Sequence, residues 1–328
     1  MSSVEWLDSV KHNAVRYLNA LYKKDGFFAY SRTADRYGDS MRWGLANAVF
    51  AVKTLYIMKM LESFSAEKRQ EIIDFIHHFQ RKPGLFVDPL VASKTALFNK
   101  IVAIRNLNFS NFFGEKTMMA ETRQALVALL LLEDPALQPY TQIPYTGHSI
   151  ERYIRQLHWK DPWGALSHLN HLIFFYVYNA GYCGYRVAEG RLFAETCVKY
   201  IDGIQNAQDG LWYTGSASLR QKCNAAMKVL SAFNVAKRQD IPYAEKIIDT
   251  ILRRNEEPYY NGCDYLNVAY VLRYVYASVN KTYRKHDIEG FCDHALHSYR
   301  KFYREAEGGF SFVPDSSPRR YYGMEVSK

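Results

Sequence analysis

The sequence of 328 residues predicts an all-α fold, an (α/α)5–6 toroid in which five or six helical hairpins close into a ring of inner and outer helices. Three observations predict it. Apolar residues recur at three-four spacing along most of the chain, the mark of helices with a buried face. Helices wet on one face alternate with helices apolar nearly all round. A turn motif, fullest in residues 200–212 (YIDGIQNAQDGLW), recurs at the ends of the wetter helices. No strand-length alternating run interrupts this pattern.

The elements follow in order. Residues 4–22 carry an apolar stripe through Val4, Leu7, Val10, Ala14, Tyr17, Leu18 and Leu21, and stop at Lys24-Asp25-Gly26. Residues 42–60 form a helix apolar on most sides. The pair then recurs. A helix over 66–82 opens after Ser65, an N-cap, and ends at Pro83-Gly84. Residues 91–106 add a helix, 108–116 a loop rich in Asn and Phe, and 118–132 a second very apolar helix. After a Pro-containing loop come helices over 148–159, 164–179, 188–207, 219–235, 243–254, 263–279 and 287–304. The expected organisation is one domain over 1–328, with an insertion at about 88–117 and an irregular tail at 314–328.

Composition bounds the function. Nearly half the residues are hydrophobic, enough for a sizeable core, and 26 Tyr, 19 Phe and 5 Trp supply either that core or an aromatic cavity wall. A net charge of +9 favours an anionic partner such as a diphosphate, an acidic glycan or a membrane surface. No Lys/Arg run resembles a nucleic-acid tail, so the expected partner is a small-molecule or oligosaccharide substrate rather than nucleic acid. Five scattered Cys without C-x-x-C predict a reduced, cytoplasmic chain. The amphipathic, acid-bearing N-terminus is not a signal peptide, and the most apolar run, 125–132, is too short for a transmembrane segment.

Aligned at their helix ends, six copies of the turn motif appear. Tyr200-Ile201, Gln205 and Gly210-Leu211-Trp212 make the fullest, and Phe75-Ile76, Gln80 and Gly84-Leu85-Phe86 the second. Looser copies run from Tyr17, Tyr153, Ile247 and Tyr299. The aromatic-aliphatic pair packs the outer helix, the Gln amide satisfies carbonyls left open at the helix end, Gly permits the left-handed turn, and the last aromatic covers it. This signature resembles the "QW" repeat of squalene and oxidosqualene cyclases, and in looser form that of protein prenyltransferase β-subunits. The resemblance implies the toroid and an enzyme of cyclase or transferase type. Six-hairpin glycosidases, toroidal glycan lyases and lanthipeptide cyclases share the architecture, so fold alone does not choose the reaction.

In such a ring the first turns of the inner helices face one mouth of a central cavity, and here they are polar. Arg42 and Trp43, after Asp39, open the first; Glu121, Thr122, Arg123 and Gln124 precede the apolar run of the next. Trp163 precedes His168 and His171, one turn apart on one face. Arg220, Lys222 and Asn224 open another, and Cys263, Asp264 and Asn267 the last. Asp264, Glu121, His168 and His171 are the candidate catalytic groups; Arg42, Trp43, Arg123, Trp163, Arg220, Lys222, Asn224 and Asn267 are candidate substrate contacts. A carboxyl at the head of an apolar helix is a candidate proton donor, because burial raises its pKa. The His pair reads first as a hydrogen-bonded pair, so no metal is assigned, and no motif names a cofactor. Asp-x-Asp-Asp, Asp-Asp-x-x-Asp, Cys-Gly-Glu-Gln and Gly-x-Ser-x-Gly are all absent.

Three functions stay open. One is a cyclase- or prenyltransferase-like enzyme for an apolar substrate with an anionic head group. The second is a glycan-active hydrolase, lyase or epimerase on an acidic saccharide. The third is a non-catalytic binding toroid. An apolar cavity with one carboxylate points to the first, a wet cleft with two carboxylates to the second, and a filled ring to the third.

Overall fold

The computed structural model describes residues 3–32, 34–38, 43–105, 111, 114–256, 259, 261–314 and 316–327. Among them lie twelve α-helices and a few strands of two or three residues. The helices are α1 (Ser3–Leu21), α2 (Leu45–Ile57), α3 (Ala66–His77), α4 (Pro89–Arg105), α5 (Glu115–Leu131), α6 (Gly147–Arg155), α7 (Pro162–Gly181), α8 (Val187–Gly203), α9 (Leu219–Val235), α10 (Ala244–Leu252), α11 (Gly262–Tyr276) and α12 (Lys285–Tyr299). The fold is all-α, as the periodicity predicts. Asp39, Arg42, Pro258 and Tyr260 lie outside the described residues.

The chain divides into two compact units. The first holds residues 1–142, 304–309 and 317–328; the second holds 143–303 and 310–316. In the first, α2 packs along α5 and both pack on α3. In the second, α7, α9 and α11 lie side by side in sequence order, α8 covers α7, and α10 and α12 pack on α11. The layered helices are the apolar ones. Ala48, Val49, Val52 and Leu55 of α2, and thirteen residues of α7, are buried.

Local signals set the helix starts. Asp161 accepts from Gly164 N with Pro162 in the first turn, and Ser218 and Gln221 form a reciprocal capping box. Ser65 caps α3 through Lys68 N, as expected. Several expected boundaries move, three of them in the first unit. The helix expected from residue 42 starts at Leu45, after a left-handed Gly44. The one expected from 118 starts at Glu115, so Glu121 sits well inside it. The one expected to reach 82 ends at His77, and Gln80–Lys82 turns into a short strand paired with Leu85–Phe86. The tail, expected to be irregular, contributes a hairpin of Arg320–Tyr321 with Met324–Glu325, with Met324 and Val326 buried.

The repeated turn has one backbone geometry. Tyr22 pairs with Phe28, Gln80 with Phe86 and Gln205 with Trp212, each residue in the Gln position bridging the closing aromatic. Gln205 Nε2 donates to Gly210 O (2.9 Å) and to Pro242 O (2.8 Å), so it ties its own turn to the start of the next repeat. Gly210 has φ +75°, and a Cβ there would lie 2.7 Å from Ile247 Cγ1 of α10. At Gly308 the same construction meets α1, where a Cβ would lie 2.7 Å from Asn13 O. Gly308 thus meets α1 within the first unit as Gly210 meets α10 within the second.

Candidate functional site

Some of the candidate residues gather in two clusters, one in each unit.

In the first unit the cluster is built on Asp88 and Glu121. Asp88 precedes Pro89 and caps α4: its Oδ1 accepts from Leu90 N (3.0 Å) and Val91 N (3.2 Å). Its Oδ2 accepts from Gly44 N (3.0 Å) and Leu45 N (3.4 Å), so the same carboxylate caps α2. Beside it, Thr122 of α5 bonds both backbone groups of Phe86, accepting from N (3.1 Å) and donating to O (3.0 Å). That grip sets the height of α5 and brings Glu121 to Asp88, whose N donates to Glu121 Oε2 at 3.4 Å. Glu121 Oε1 is buried with no hydrogen-bond partner.

The electrostatics follow from this geometry. Burial, and then the like charge of Asp88, push the Glu121 carboxyl well above the ordinary carboxylate range; the single amide bond opposes them weakly. Burial also raises Asp88, against the pull of its four amide donors. Burial is the larger of the two effects, and Asp88 is the charged neighbour that adds to it. The Tyr321 phenol is raised by burial and by Glu121, which places the C-terminal hairpin beside the pair. Trp43 is fully buried, its ring edge-on to those of Tyr37 and Tyr321. It belongs to the core rather than to an open cavity wall.

A cavity of about 190 Å³ lies against this cluster. Ala92, Thr95, Ala96 and Asn99 of α4 form one wall; Thr117, Met118 and Glu121 of α5 form the other. Its surface is mostly apolar, and among the described residues Glu121 is the one carboxyl group in it.

In the second unit the cluster joins α9 to α11. Arg220 Nε meets Asp264 Oδ1 at 2.9 Å, and one turn further on Asn267 Nδ2 donates to Asn224 Oδ1 at 2.7 Å. Asp264 is buried, in the first turn of α11 behind the N-cap Asn261. Lys222 points elsewhere: its Nζ bonds Asp209 Oδ2 (2.9 Å) and lies over the Tyr213 ring, at the Gly210 turn. Arg220 and Asn224, four apart, share a face of α9, whereas Lys222 lies roughly 200° round from Arg220. His168 and His171 meet edge to face, centroids 5.8 Å apart, with His171 buried. Trp163, in the first turn of α7, keeps 46% of its surface exposed. Among the described residues no three His, Cys, Asp or Glu side chains gather as a metal site.

Sequence reasoning missed Asp88 and the tail tyrosines. The Asp88-Pro89 pair is a helix-start signal, but its second role as the cap of α2 is visible only in three dimensions. What the clusters can do chemically differs. The first offers a proton from a carboxylic acid in an apolar recess; the second offers paired charges and amides at helix starts.

Searches of curated proteins and of solved structures gave no match. A family model for the prenyltransferase alpha-alpha toroid domain matches residues 2–97 and 45–263, which together take in all the helices from α1 to α10. With its repeated turns and alternating helices, this chain is a member of the prenyltransferase alpha-alpha toroid family.

Proposed function

We propose that this chain is an enzyme of cyclase or prenyltransferase type that acts on an apolar substrate with an anionic head group, with Glu121 as its acid. The carrying observation is Glu121 itself: a buried carboxyl with raised pKa and an unpartnered oxygen, in the wall of a mostly apolar cavity. One acid in an apolar recess supports this reading over glycan hydrolysis, which works across a wet cleft with two carboxyl groups.

The chemistry is proton transfer. The Glu121 hydroxyl protonates a substrate double bond; the alkene's electron pair forms the C–H bond and a carbocation remains on the adjacent carbon. The Glu121 carboxylate left by that transfer takes a proton from a neighbouring carbon, whose C–H electron pair restores an alkene, and the acid is regenerated. Burial raises the Glu121 pKa and so favours the protonated acid, and the apolar lining disfavours water beside the cation. At about 190 Å³ the cavity is smaller than the roughly 300–1,000 Å³ of sites that enclose a whole drug-sized ligand, so it suits the reacting end of a longer chain. Lys100, also in the lining, supplies a positive charge for the head group. Arg220, an expected anion contact, is already engaged by Asp264.

The test is product analysis after incubation with a panel of polyprenyl diphosphates, polyprenols and acidic oligosaccharides. Conversion of a prenyl substrate by the parent chain, lost in Glu121→Gln, is expected. Conversion of a saccharide alone, or an undiminished Glu121→Gln, contradicts the reading.

A further inference from the structure

A second cavity, of about 760 Å³, lies wholly in the second unit, at the C-terminal ends of α9 and α11. Its volume is that of a site for a whole small ligand. One wall holds two tyrosines. Tyr270 and Tyr274 are one turn apart on α11 and half-buried, with rings within 20° of parallel and centroids 6.3 Å apart. The other wall is the turn that ends α9. Asn234 lies in the last turn of that helix, and Lys237, at φ +56°, folds the chain back so that Arg238 N bonds Phe233 O at 2.9 Å.

The cleft is braced by the chain itself. Tyr274 Oη donates to Arg238 O (3.0 Å) and Ser278 Oγ to Gln239 O (3.4 Å), so the turn after α9 is tied to the end of α11. Arg238 is anchored in turn by Asp202 and by the face of Phe233. The polar groups left over are those of the lining. The Asn234 and Gln239 amides and the Arg273 guanidinium are exposed, and none has a hydrogen bond or ion pair to another described residue. No Asp or Glu is among the described residues of the lining.

Charge decides which ligand fits. An arginine without a carboxylate points first to an anion, but its position argues otherwise. Arg273 lies in the last turn of α11, and α9 has no basic residue in its own last turn. A helix C-terminus carries roughly half a negative charge. Two such ends against one guanidinium leave the cleft close to neutral, so it favours neither an anion nor a cation. Amides that both donate and accept, beside aromatic faces, suit a ligand with many hydroxyls and apolar ring faces. Two near-parallel rings one helical turn apart repeat that surface along the cleft, as a chain of sugars repeats its rings.

We propose that this cleft binds a neutral oligosaccharide, with sugar rings on Tyr270 and Tyr274 and hydroxyls at Asn234 and Gln239. Its described lining offers no carboxyl group for acid-base cleavage, so it holds the saccharide rather than hydrolyses it. The site does not rest on the reading of Glu121, which lies in the other unit.

The experiment is titration calorimetry of the full chain with cellotetraose, maltotetraose, laminaritetraose and N-acetylchitotetraose, with tetragalacturonate as the acidic control. Binding of at least one neutral tetrasaccharide, insensitive to salt, is expected. Tyr270→Ala and Tyr274→Ala should each weaken it about tenfold, from the lost ring contact. Tyr274→Phe keeps the ring and should weaken it less than about threefold. Asn234→Ala should weaken it about fivefold, the worth of one hydrogen bond. Arg273→Gln removes the charge, keeps a donor and should change it less than about threefold. Circular dichroism of each variant checks that the fold is kept. No binding of any of the four neutral sugars, or binding that Tyr270→Ala and Tyr274→Ala leave unchanged, overturns the proposal. So does binding of tetragalacturonate alone that Arg273→Gln abolishes, which would make the cleft an anion site. No turnover is read, so failure here leaves the reading of Glu121 standing.

Discussion

Glu121 and Asp264 look alike in the sequence and differ in the structure. Each is a buried carboxyl on a layered helix, α5 in the first unit and α11 in the second. Asp264 sits in the first turn of its helix, where the backbone amides point outward, and Arg220 meets it at 2.9 Å. Glu121 sits well inside its helix, with no basic group setting its acidity and Asp88 beside it. The first arrangement holds two helices together. In the second, burial and then the like charge of Asp88 raise the carboxyl's pKa. Both carboxyls are buried; the position along the helix and the sign of the neighbour are what differ.

The largest effect that would break this comparison is on turnover. Glu121→Gln should lower it about 10²–10⁴-fold, the usual worth of a general acid, while the fold survives. Asp264→Asn should retain turnover with a lower melting temperature. If the two results are reversed, the roles are exchanged.

Asp88 sharpens the contrast. Asp88→Ala removes the caps of α2 and α4 together and should cost about 2–4 kcal/mol in denaturant unfolding. It should also shift the loss of activity at high pH to a lower pH, because the like charge that raises Glu121 is gone. A merely structural Asp88 would leave that pH profile unmoved.

In the second unit, Arg220→Ala leaves the buried Asp264 carboxylate without its ion-pair partner. The expected cost is about 1–3 kcal/mol, below that of a fully buried pair because Arg220 is 41% exposed. Asn267→Ala breaks the next rung to Asn224 and should cost about 1 kcal/mol, measured the same way.

The first site makes stability depend on pH. Glu121 and Asp88 have raised pKa values, so the folded chain holds protons that the unfolded chain releases above about pH 4. Their contribution is complete below that and is lost as pH rises through the folded values. Glu121→Gln cannot ionise, so its melting temperature should gain on the parent's as pH rises from 4.5 upward.

Much of this was legible in the sequence, and the gaps have physical reasons. Helix periodicity, the Ser65 cap and the Gln205–Gly210–Trp212 turn are local features, and local chemistry fixes them. Glu121 and Asp264 stood out because a charge beside an apolar run is costly wherever it lies. What separates them is non-local. Asp88 is 33 residues from Glu121 in sequence, and the Thr122–Phe86 bonds bring them together. Tyr321 reaches the pair from the C-terminal hairpin, which periodicity could not place. Lys222 is the reverse case. The helical period already puts it off the face of Arg220 and Asn224, and its partner Asp209 lies in the repeat turn.

The most direct test of the central claim needs no substrate. Infrared difference spectra between the parent chain and Glu121→Gln at neutral pH report whether Glu121 is protonated. A carboxylic-acid C=O band present in the parent and absent in the variant, converting to carboxylate bands only on raising the pH well above neutral, is the predicted result. Carboxylate bands alone at neutral pH would mean that Glu121 is ionised there, and would contradict its role as the acid.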